Sequence, residues 1–171
     1  MRSHIKIVST LSKIVENKYF ISAMNSGKNP EHFRKGGYLT IFLTNAEPCD
    51  PPITTTLIGL ISPRLIRATY VSSREQGSRL LMYRKHKSSF QSRDSERGLF
   101  GGAIRIPQFI ISFAGFDELE NEALLCTLAF HLNLETKETL LKILKLSESK
   151  LAFERVDRAV RGVGIFGIIG A

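Results

Sequence analysis

The sequence lacks the markers of several chemistries. It has no CxxC and no HExxH motif, so a metal centre has no support in the spacing of its residues. There is no G-x-S-x-G elbow to anchor a serine-hydrolase arrangement. Nothing reads as a charged start, an apolar run and a small-residue cleavage site. The final ten residues, Gly162 to Ala171 (GVGIFGIIGA), are apolar but about half as long as a bilayer span requires, and their glycines disfavour a stable helix. Only two cysteines occur, Cys49 in a proline-rich loop and Cys126 in an apolar helical pattern. Two unpaired thiols in a reduced, cytoplasmic setting are expected.

What is present is an ordinary globular composition, with 43% hydrophobic and 23% charged residues in 171, enough for one domain with a real core. We read residues 1–161 as a single domain and 162–171 as an apolar, glycine-rich tail. Ile5, Val8, Leu11, Ile14 and Val15 recur at helical spacing and predict an amphipathic helix over 4–17. Tyr38 to Thr44 and Thr55 to Ser62 are β-branched and aromatic, and the loop between them holds Pro48, Pro51 and Pro52, so they read as an antiparallel pair. A helical pattern follows Pro63 to about Tyr83, with a break expected near Gly77. The polar run 86–98 has no periodicity and reads as a loop. Residues 103–106 and 109–115 form a second hairpin. Asp117 then caps a helix, with Glu120 three residues on completing a capping box. Asp117, Glu118, Glu120 and Glu122 together suit a helix N-terminus. A last helical stretch, 136–161, should be interrupted near Ser147.

Hairpins flanked by helices give a two-layer α+β domain, with helices on one face of an antiparallel sheet and the order α-β-β-α-β-β-α-α. Residues 99–130, LFGGAIRIPQFIISFAGFDELENEALLCTLAF, carry a glycine-rich lead-in, a hairpin closing on a small residue before glycine, and an acidic helix start. In that order of features the segment resembles the HbpS-like (GlcG-like) haem-binding family, with Ala114 where the family pattern has serine. The resemblance implies a roadblock- or profilin-like fold, and haem as a candidate ligand.

The positive charge is concentrated. Between Arg64 and Arg105 stand ten lysines and arginines against Glu75, Asp94 and Glu96, a surplus of seven in a chain of net charge +8. Such a field favours an anionic partner. Gly101 and Gly102, with Gly98 before them, let backbone amides approach a ligand, and Arg93, Arg97 and Arg105 can grip a carboxylate or phosphate. His86, near Met82 and Tyr83, offers a haem ligand or proton carrier. The expected site is therefore Arg93, Arg97, Gly101, Gly102, Arg105 and His86, binding a small anion without catalysis in a homo-oligomer. Two alternatives stand beside it. Tyr70, Tyr83 and Phe90 interleave with the arginines as in nucleic-acid binders, and an exposed strand edge would suit a protein-interaction scaffold.

Overall fold

The computed structural model describes residues 3–165. Its elements are helices α1 (Ser3–Val15) and α2 (Lys18–Asn25), strands β1 (Lys35–Leu43) and β2 (Thr54–Leu60), helix α3 (Ile66–Met82), strands β3 (Ala103–Arg105) and β4 (Phe109–Ala114), and helices α4 (Glu118–His131), α5 (Lys137–Leu146) and α6 (Lys150–Gly162). The strands form one sheet in the order β2-β1-β4-β3, every neighbouring pair antiparallel. This is an α+β fold. Both expected hairpins are present, with Tyr38 opposite Leu57 in the first and Ile104 opposite Ile111 in the second. Each cysteine is a free thiol. No helix among the described residues is long and apolar enough to cross a membrane. The tail expected over 162–171 begins inside α6, and its residues from Phe166 onward lie outside the described residues.

The layering differs from the expectation of helices on one face. Leu39 and Ile41 of β1 and Ile111 and Phe113 of β4 point into the main core with α1, α4 and α6. Phe42 and Ile110 point the other way, against Leu80 and Leu81 of α3. The sheet is thus sandwiched between α3 and the remaining helices. The physical reason is written in β4: FIISFA is buried along its whole length, because a strand covered on both faces needs no polar alternation.

Two further differences concern helices. α3 runs unbroken through Gly77, where a methyl group would sit 2.6 Å from Cε2 of Phe42. Glycine here serves close approach to the sheet rather than a kink. One position-set earlier, Ser73 donates to Thr40 Oγ1 at 2.9 Å, so α3 meets the sheet through small and hydroxyl side chains. The second difference is α2, an extra eight-residue helix that starts when the Asn17 side chain accepts from the amides of Tyr19 and Phe20. Asp117 and Glu120 open α4 as expected, the Asp117 amide donating to the Glu120 carboxylate at 3.2 Å. The 136–161 stretch divides at Ser147 into α5 and α6.

Candidate functional site

The glycine-rich hairpin does bind carboxyl groups, and they are the protein's own. The Gly101 amide donates to Glu118 at 2.9 Å and the Gly102 amide to Glu122 at 3.2 Å. Arg93 closes on the same Glu118 carboxylate at 2.9 Å while its guanidinium lies over the Phe90 ring. Gly102 sits at φ 134°, and a side chain there would meet Gln76 Oε1 at 2.7 Å. The cradle is therefore filled from α4 and lined by α3.

The other expected site residues are dispersed. Arg105 is buried in β3, donating to the carbonyls of His86 (3.0 Å), Thr44 (3.4 Å) and Leu80. Burial, and then the neighbouring Arg84, lower its pKa. It satisfies the carbonyl-rich end of α3 instead of gripping a ligand. Arg79, also buried, does the same for Ser92 and Phe100. Arg97 is 82% exposed and loosely paired with Asp94 at 3.4 Å. The His86 ring stacks on Tyr83 at 5.0 Å, and its Nδ1 is enclosed without a hydrogen-bond partner. The three interleaved aromatics are each already engaged by a protein group: Tyr70 by Tyr38, Tyr83 by His86, Phe90 by Arg93.

Glu122 was hidden among the capping acids. It is fully buried, and Ser88 Oγ lies 2.7 Å from both of its oxygens. Desolvation raises its pKa to about 7 despite those hydrogen bonds. One turn on, burial and the nearby Glu122 charge push the Cys126 thiol well up. The available signal was the run ALLCTLAF that follows: a helix apolar on all sides is buried on all sides, and Glu122 enters it.

A concavity lies elsewhere, beside α2. It encloses about 780 Å³ between α2, the 26–35 loop and the paired ends of β1 and β2. Val15, Ile21, Phe33 and Leu60 supply apolar walls, Ser22 and Ser26 supply hydroxyls, and Lys18, Lys28 and Lys35 supply cations with Glu16 opposed to them. Its loop wall is held in place. The Asn25 amide donates to Ile21 and Arg34 carbonyls and its oxygen accepts the Arg34 amide, all at 2.8 Å. Lys28 turns to Asp117 and Glu120, each at 2.9 Å, and Arg155 of α6 joins the same Glu120. Lys18 and Lys35 have no carboxylate partner among the described residues. No cluster of three or more His, Cys, Asp or Glu positioned for a metal occurs among the described residues. No family model, no curated protein and no solved structure matches this chain.

Proposed function

We propose that this protein binds a small amphipathic anion in the groove beside α2, its apolar part on Ile21, Phe33 and Leu60 and its charge on Lys18 and Lys35. The observation that carries the reading is that groove: a concavity of about 780 Å³ with apolar walls and two lysines that have no carboxylate partner among the described residues. Anion binding remains the theme that the charge of the sequence suggested, moved from the basic loop to a groove where Lys18 and Lys35 have no carboxylate partner among the described residues. Haem, implied by the family resemblance, does not fit this groove, whose lining among the described residues contains no His, Cys, Met or Tyr to hold the iron.

Binding is tested by titrating the protein with anilinonaphthalene sulfonate and then displacing the dye with octanoate. Saturable dye fluorescence that octanoate reverses supports the reading. A Lys18→Glu, Lys35→Glu double variant should weaken both ligands at least tenfold, because two attractive contacts become repulsive. Equal affinity in the double variant would place the dye on other apolar surface and end the proposal.

A further inference from the structure

The two edges of the sheet are treated differently. The β3 edge is closed by the segment before it: the Arg105 amide donates to Lys87 O at 2.8 Å, and Ser88 bridges to Ile104. Among the described residues β2 has a neighbour on one side only. None of its seven residues, TTTLIGL, is charged or proline, the devices that commonly blunt an edge.

The α3 side of β2 is open as well. Leu57 and Thr55, opposite Tyr38 and Thr40, lie beside α3 as a shelf, with Leu57 46% exposed. Above that shelf α3 presents Arg67, Tyr70, Val71 and Arg74, the spacing of one helical face. Tyr70 rests edge-on against Tyr38 at 5.4 Å, and Arg74 donates to the Tyr70 hydroxyl at 3.2 Å. Elsewhere in the segment Arg79, Arg84, Arg93 and Arg97 have carboxylate partners, while Arg67 and Arg74 have none among the described residues.

We infer that β2 and this face of α3 form a docking site for an extended acidic segment of a partner protein. The segment adds to β2 as a fifth strand, its carboxylates on Arg67 and Arg74 and its alternate side chains on Leu57 and Val71. Charge selects this occupant over a second copy, which would bring its own Arg67 and Arg74 to the same seam in a chain of net charge +8.

The test is fluorescence anisotropy of the full chain with two labelled octapeptides, one alternating aspartate and valine, the other lysine and valine. Saturable binding of the acidic peptide alone is expected, weakened at least tenfold by Arg67→Glu with Arg74→Glu and unaffected by Lys85→Glu with Lys87→Glu. Thr55→Pro, which removes an outward-facing edge donor without touching the β1 ladder, should weaken it too. If that variant unfolds, the charge reversals, at exposed Arg67 and half-buried Arg74, still decide. No binding, equal binding of both peptides, or equal loss in the two charge-reversal variants would overturn the inference. So would a dimer, seen by light scattering, that the acidic peptide fails to displace.

Discussion

At the β3 end of the sheet two cations of the 64–105 segment are turned inward, and on the flank of α3 beside β2 two others stay on the surface. Arg79 and Arg105 are buried and bonded to backbone carbonyls, whereas Arg67 and Arg74 lie along the open flank of α3. The same residue type in one stretch thus does two jobs. What separates them is whether a neighbouring chain segment ends in unpaired carbonyls: α3 terminates under the 83–100 loop, and arginine is the side chain with enough donors to satisfy several of them at once. A charge surplus in a sequence therefore overstates the free field by the cations that are internal.

The largest expected effect is at the buried end. Arg105→Ala should lower the unfolding free energy in urea by about 4 kcal/mol, since carbonyls of Leu80, His86 and Thr44 lose their donor in a closed space. A loss below about 1 kcal/mol would mean that water reaches those carbonyls and that the inward end resembles the outward one.

Next in size is the proton on Glu122. In the native state it is held up to about pH 7, whereas a carboxyl in the unfolded chain releases it near 4.5. Between those values the native state binds more protons, so stability falls as pH rises through this window and then levels off. The drop attributable to this group should total about 3 kcal/mol. Denaturation of the Glu122→Gln variant across the same range should lack that slope. A slope that survives the substitution belongs to another group.

Gly102→Ala should cost about 2 kcal/mol, from a φ of 134° closed to other residues and from the crowding of Gln76. Thermal denaturation gives the value. Smallest of all is Arg67→Ala, expected within about 0.5 kcal/mol of the parent because the side chain is exposed and has no carboxylate partner among the described residues. A larger loss at Arg67 than at Arg105 would invert the contrast between the two ends.

The strand pairs, the capping acids of α4 and the break at Ser147 were legible because each is a local event: alternation, a cap and a turn declare themselves within a few residues. The opposite placement of α3 and the burial of Arg105 were not. In AIRI the arginine alternates with isoleucines and so reads as the wet face of a half-buried strand, which holds only when one face of the sheet is bare. The same oversight made the glycine-rich hairpin look vacant. Its amides are matched by Glu118 and Glu122, which are far off in sequence and looked fully employed at the start of their helix. α2 was missed because KYFISAMN is short, and its cap Asn17 falls immediately after α1, where one longer helix or a turn is the simpler reading. The groove came from the packing of three segments and had no local trace.

The position of β1 has a consequence for how the chain folds. β1 is central, hydrogen-bonded to β2 nearby in sequence and to β4 well beyond it, with Leu43 opposite Phe109. The first hairpin can form as soon as residue 60 is available, but its inner edge stays bare until β4 arrives. Long-range pairing of this kind slows closure relative to the helices and the first hairpin. During synthesis β1 therefore waits more than sixty residues for β4, and from residue 60 onward in that interval the nascent hairpin has two unpaired edges, where the described residues of the finished molecule leave one.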